Sequence, residues 1–331
     1  MDTDWRLRLE GLKKFLSVEH HLFGCALVRI GIGSVVLYYL AGHWAQRSLL
    51  WGPNGIYPYW LFVRELQRSR SPSLLAVQST ELFDALYLLA LLFALLYTLG
   101  WRTRWLAIPF AVFTWSLFMR NPFVLTGGDN LVMVELPFLV LANTSAYLSM
   151  DSGWRGPRQN APTSSHPILA LLHNAALFAM MLQLAIAYGA AGLSKVIGPA
   201  WQHGVAIYYV LHTREFGMSK LSTLFYRNPI IVALLSYSVM GFELAFPFLI
   251  WRRRTRWIAA SGAVALHLAI AFFMRLVPFA VEALVFEFVI FPDESYANVA
   301  VVAPSIVSRA LKFARTLGQP ARAQTEQTSR D

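Results

Sequence analysis

One cysteine, Cys25, stands in 331 residues. A single thiol excludes an intramolecular disulfide and a cysteine metal cluster, and it says nothing about redox compartment. Charge is scarce as well: Asp, Glu, Lys and Arg make up 14% of the chain, against about a quarter in soluble domains. With 56% hydrophobic residues and a mean hydropathy of +0.49, an ordinary water-soluble domain is excluded and a membrane protein is indicated. Nucleophile elbow, phosphate-cradling glycine loop and dinucleotide fingerprint are all missing, which disfavours soluble nucleotide chemistry. GIGS at 31–34 lies inside an apolar run with no strand before it and reads as small-residue helix packing. His203 and His212, like His20 and His21, lack metal-ligand spacing, so no metal is expected. The formal net charge is +10, yet the basic residues are scattered between apolar spans. They read as topology determinants and not as a nucleic-acid surface.

What the chain has in quantity is long apolar runs. A helix needs about 20 apolar residues to cross a hydrocarbon core about 30 Å thick. Stretches near 22–41, 81–100, 104–119, 130–149, 167–192, 229–251, 257–274 and 277–292 meet or approach that length. The third and last are short, and 257–292 also reads as one long helix kinked near Arg275 and Pro278. The expected fold is all-α, a polytopic transmembrane bundle of seven or eight spans over residues 21–292.

Residues 1–20 repeat Trp5, Leu9, Leu12, Phe15 and Leu16 at helical spacing opposite Arg8, Lys13 and Lys14, the pattern of an interfacial amphipathic helix. They carry eight charges, and no cleavable signal peptide is expected. Residues 293–331 form a cytoplasmic tail with Ile306, Leu311, Phe313 and Leu317 among Arg309, Lys312 and Arg315, ending in a polar stretch expected to be disordered. Under eight spans, Lys and Arg number 17 on the side of both termini and 10 on the other. Both termini are thus predicted cytoplasmic, with Lys195 on the opposite side. Arg outnumbers Lys 23 to 5, which fits a GC-rich bacterial source and an inner-membrane location.

Charges inside apolar spans are costly unless they are paired or face a wet cavity. Here they are Arg29, Glu135, Glu243, Glu282 and Glu287, joined by His173, Gln183 and His267. Taken singly, each has a structural reading: Arg29 pairs with Glu135 or Glu243, and Glu287 snorkels from a span end. Taken together they indicate a polar cavity inside the bundle. The aromatic and Pro/Gly-rich segment LLWGPNGIYPYW, residues 49–60, reads as an interfacial loop or as a lid over a cavity on the face of Lys195.

From Gln159 to Ser194 no charged residue occurs, and the run ends in YGAAGLSK, residues 188–195, followed by Trp201 and Gly204. This segment resembles the membrane part of vitamin K-dependent gamma-carboxylase. It is more similar still to the bacterial HTTM proteins, transmembrane-only relatives of that enzyme that include the sporulation-delaying protein B group. RIGIG at 29–33, LWGPNGIYP at 50–58, TGGDN at 126–130, FELAFPFLIW at 242–251, RTRW at 254–257 and HLAIAFF from His267 extend the resemblance over residues 20–292.

The resemblance implies that Lys195 is a general base that deprotonates a reduced quinone of the vitamin K type. It implies a carboxylase-like or quinol-dependent modifying enzyme of the membrane, acting on a quinol or another lipophilic substrate. Beside Lys195, the expected site has His267 as a second catalytic group that relays a proton or orients the substrate, Arg29 stabilising an anionic oxygen or pairing with Glu243, and Glu243, Trp201, Asp129 and Tyr188 in contact with the substrate. One cavity is expected to gather Lys195, Arg29, Glu243 and His267. A lysine desolvated at a helix end suits the task, because burial favours the neutral amine. Partners on this reading are membrane lipid or quinone and a small peptide or protein substrate, with no nucleic acid. The alternative is a non-catalytic membrane factor for maturation or export of a small peptide, with Lys195 facing lipid headgroups. A carrier is a weaker third, since no inverted repeat is evident.

Overall fold

A computed structural model describes residues 10, 11, 13, 15–156, 166–213 and 222–300. Most of the expected interfacial helix over 1–20, and the tail from 301 with its apolar positions, lie outside the described residues.

Local chemistry sets where the helices begin and end. α1 (Leu22–Gly42) starts where Asp293 accepts from the backbone N–H groups of Leu22 and Phe23. Two short helices follow, α2 (Arg47–Trp51) and α3 (Tyr59–Ser69). α4 (Thr80–Leu99) is capped by the Ser79 hydroxyl, which accepts from Leu82 N, and is closed by Gly100 at φ 74, a left-handed backbone that glycine adopts without strain. α5 (Thr103–Arg120) leads into α6 (Gly127–Leu141), whose start is a capping box between Thr126 and Asp129. α7 (Pro167–Ile197) begins at a proline, which is pre-set for a first helical turn. Then come α8 (Pro199–Gln202), α9 (Ala206–His212), α10 (Ser222–Tyr226) and α11 (Pro229–Leu249), the last capped by Asn228. α12 (Arg256–Phe273) and α13 (Val277–Phe286) follow, then a 3-10 turn Glu287–Ile290, and residues 293–300 are again helical. No strand occurs among the described residues.

Five helices, α1, α4, α7, α11 and α12, are long and apolar enough to cross a bilayer. α5, equal in length to α12 but less apolar, and the shorter α6 and α13 pack among them, with α13 against α1, α6 and α12. Two expected boundaries move. The fourth span ends at Leu141, short of 149, because Ala142 leaves the helix in extended conformation and the following Asn143 turns its side chain to Glu19. Residues 257–292 are not one kinked helix: Arg275 sits at φ 57 between α12 and α13, and a left-handed residue cannot continue a right-handed helix.

The surface is inverted relative to a soluble protein. Leu88, Leu92, Phe178, Ile186, Leu234, Phe248, Ile258 and Phe272 are exposed along the long helices, while Arg29, Glu135, Glu243, His267 and Glu282 are buried. Exposed apolar faces of this extent match lipid tails and not water. The composition, the five apolar helices and this inversion together describe a multi-pass membrane protein.

Candidate functional site

The GAAG of residues 189–192 is a packing seam. A Cβ added to Gly192 would meet the Leu244 backbone N at 2.9 Å, and one at Gly189 would meet Pro247 Cγ at 3.2 Å. Small residues there let α7 and α11 approach closely, and that approach brings Lys195 to Glu243. Side chains on a helix lean toward its N-terminus. Accordingly, Lys195, in the last turn of α7, reaches back to place Nζ 3.5 Å from Ala191 O and 2.6 Å from Glu243 Oε2. The Trp201 ring covers the ammonium at 5.1 Å from Nζ to the centroid, within cation–π range.

Tyr188 and Ala191 precede Lys195 at i−7 and i−4, so the three share one face of α7. The Tyr188 hydroxyl donates to Glu287 Oε1 at 2.8 Å and lies 2.9 Å from His267 Nε2. With its proton committed to Glu287, the phenol oxygen accepts from an Nε2–H tautomer of His267, which leaves Nδ1 as an acceptor. That Nδ1 is buried and has no partner among the described residues. The Tyr188 ring stacks on Phe246, centroids 3.7 Å apart, with Phe242 edge-on, so its position is held on both sides.

These groups share one cavity of about 580 Å³. Lys195, Glu243, Tyr188 and His267 supply its polar points, Thr126 to Gly128 at the start of α6 contribute to its rim, and Leu184, Leu266, Ile270 and Phe279 supply apolar wall. A largely apolar cavity of a few hundred Å³ with a few convergent polar groups is the usual form of a small-molecule site. The cavity is not sealed, since the Lys195 side chain keeps 18% of its surface exposed. Among the described residues, no group of three His, Cys, Asp or Glu is arranged to hold a metal ion.

The other sequence candidates lie elsewhere. Arg29 does not line the cavity. It is fully buried, and its guanidinium donates to Thr144 O at 3.0 Å and Leu148 O at 2.5 Å, so it ties α1 to the 144–148 loop and pairs with neither Glu135 nor Glu243. Asp129 belongs to the capping box, where its Oδ2 accepts from Thr126 N at 2.6 Å. It stands behind the cavity rim. Trp201 touches the site only through Lys195.

Residues 49–60 are no lid over this cavity. The loop is pinned to the end of α5 by Arg120, which donates to Tyr57 O and Gly52 O, and by Asn121, which donates to Leu50 O. Glu287 is not a snorkelling residue, being only 5% exposed and bonded to Tyr188. Glu135 is fully buried in α6 with neither carboxylate oxygen bonded among the described residues, and nothing in the structure explains it.

Thr126, Gly127 and Gly128, which the sequence marks only as part of TGGDN and gives no place in a site, also line the cavity. A Cβ on Gly128 would overlap the Glu282 carboxylate, so the paired glycines of TGGDN give α13 room beside the cavity. The family model described as HTTM domain matches residues 23–294. No curated protein and no solved structure matches the chain.

Proposed function

The chain belongs to the HTTM domain family, and we propose that its cavity binds an apolar, weakly acidic O–H compound of the reduced-quinone class and takes a proton from it at the Lys195–Glu243 pair. The observation that carries this reading is the 2.6 Å contact between Lys195 Nζ and Glu243 Oε2 in the wall of an otherwise apolar cavity.

Separating charge in a low-dielectric cavity is expensive. The pair avoids it. As ammonium and carboxylate, or as amine and carboxylic acid, the two groups together are neutral. Taking one proton leads by either route to the same state, an ammonium on Lys195 and a carboxylic acid on Glu243. The positive Nζ then faces the negative charge left on the donor, and the site stays neutral throughout. Lys195 thus serves as general base jointly with Glu243, and the Trp201 ring covers the ammonium.

His267 and Tyr188 fit the role of orienting groups. His267 lines the cavity, its Nδ1 is buried without a partner among the described residues, and Tyr188 fixes the imidazole through Nε2. The apolar wall suits a ring system. A reduced quinone, when bound, supplies two acidic O–H groups and two electrons. Lys195 with Glu243 would hold one O–H and His267 the other.

The test is oxidation of a short-chain naphthoquinol by dioxygen, followed by quinone absorbance, with protein purified in detergent. Lys195→Ala and Glu243→Ala are each expected to lower the protein-dependent rate about 100-fold, the lower end of what a positioned base contributes. Lys195→Arg keeps the charge but cannot give up its proton. Equal rates in the wild type and all three variants would remove the proposed base.

A further inference from the structure

The turn between α11 and α12 reads WRRRTRW over residues 251–257. It opposes the electrostatics of a helix start. The first N–H groups of a helix are unpaired and carry partial positive charge, so anions are stabilised there and cations are not. α12 nevertheless begins at Arg256, with no acidic residue in its first turn and no side-chain bond from its N-cap Thr255. The Thr255 hydroxyl turns back and donates to Leu249 O at 2.7 Å. Arg252, Arg253 and Arg254 are exposed beside it. Among the described residues no carboxylate forms an ion pair with any of the four arginines.

A concavity of about 290 Å³ adjoins this turn, lined in part by Arg253, Arg256, Trp257, Phe291, Ser295 and Asn298. Its floor is aromatic, with Trp257 packed on Phe291 at 4.5 Å between ring centroids. Its rim is cationic and polar. Arg256 Nε donates to Ile250 O at 3.2 Å, which fixes the guanidinium, and its other donors have no partner among the described residues. Trp251 and Trp257, 40% and 51% exposed, flank the turn at the ends of two helices of membrane-spanning length. Tryptophans in that position mark the headgroup level of a bilayer.

We infer that this concavity binds the phosphate of an anionic phospholipid headgroup. Arg253 and Arg256 donate to the phosphate oxygens, a geometry for which guanidinium is suited. The headgroup charge offsets both the uncompensated arginines and the uncapped start of α12, and the lipid's apolar part runs along exposed Trp257 and Ile258. A lipid, and not a free phosphate, is the occupant because the pocket joins a cationic rim to an exposed aromatic face at headgroup depth.

To test this, the protein purified in a neutral maltoside detergent is titrated with dihexanoyl-phosphatidylglycerol, dihexanoyl-phosphatidylcholine and inorganic phosphate. Occupancy is read by native mass spectrometry. Phosphatidylglycerol is expected to bind in preference to phosphatidylcholine and to resist displacement by inorganic phosphate, and R253Q and R256Q are each expected to weaken it about fivefold. Because Arg253 is exposed, R253Q reports on binding without disturbing the fold, and R64Q on α3, at the opposite end of the bundle, is expected to leave binding unchanged. Equal retention of phosphatidylcholine, or unchanged binding in R253Q, overturns the proposal. Displacement by inorganic phosphate at the lipid's own concentration assigns the pocket to free phosphate and overturns it equally.

Discussion

Lys195 Nζ and Glu243 Oε2 stand 2.6 Å apart, on two helices that Gly189 and Gly192 allow into close contact. The motif that carries the lysine therefore does two things. Its small residues set the distance between α7 and α11, and its charged residue then reaches the one carboxylate on α11.

Removing one member of a buried pair leaves the other uncompensated, whereas replacing both with apolar groups does not. Lys195→Met is expected to destabilise the protein by about 3 kcal/mol, and Lys195→Met with Glu243→Leu to recover most of that loss. Thermal unfolding in detergent, arranged as a double-mutant cycle, measures the coupling. A double variant as unstable as the sum of the singles would contradict the pair.

Gly192 and Gly241 make a matched comparison. Gly192→Val drives a side chain into the Leu244 backbone and is expected to cost about 1–3 kcal/mol by overpacking. A Cβ at Gly241, inside α11, meets nothing within 4 Å, so Gly241→Ala is expected to stabilise by about 0.5–1 kcal/mol. Melting curves of the two variants check the seam. Equal effects would show that α7 and α11 are not held together there.

Arg120 organises residues 49–60 through two backbone carbonyls. Arg120→Met is expected to raise amide hydrogen exchange across residues 50–58 while α4 and α5 keep their protection. Unchanged exchange in that loop would show that Arg120 does not tether it.

His21, just before α1, has its imidazole pKa lowered from 6.5 to about 4, chiefly by burial, against the opposing effect of its bond to Val289 O. The unfolded chain takes up this proton below pH 6.5 and the folded chain only near pH 4, so the contribution is flat above neutrality and stability falls as pH drops through that window. Acidification from pH 7 to pH 5 is expected to cost roughly 1–2 kcal/mol through this residue. Asp293, raised by burial, works in the opposite sense at lower pH. His21 has φ 55, a backbone asparagine tolerates, so His21→Asn removes the titration without strain. An equal loss of stability in His21→Asn over the same pH change would contradict the assignment.

The membrane class, the long helices and the chemical members of the site were legible because each leaves a one-dimensional mark. An apolar run of membrane length ending in Lys195, a glutamate inside FELAFPF and a histidine inside an apolar helix all stand out against their surroundings. Which of those charges meet was not legible. Arg29 and Glu243 look equivalent as single charges in apolar runs, but Arg29 lies about two turns into α1 and meets the carbonyls of Thr144 and Leu148, acceptors that carry no sequence signature. Asp129 was read as a ligand contact from its motif, whereas its spacing from Thr126 is that of a capping box. The T-x-x-D spacing is the signal of that box in the sequence. The break at Arg275 depends on a single backbone angle, which arginine does not advertise as glycine would.

On the proposed reading, the Lys195–Glu243 pair makes the cavity a place where a greasy O–H group loses its proton. That proton loss is tested most directly by the visible absorbance of an alkyl-substituted nitrophenol bound to the purified protein and titrated with acid. The bound probe is expected to ionise at least about one pH unit below its midpoint in detergent alone. Lys195→Met is expected to abolish that shift. A probe that binds with the same midpoint in the wild type and in Lys195→Met would contradict the account.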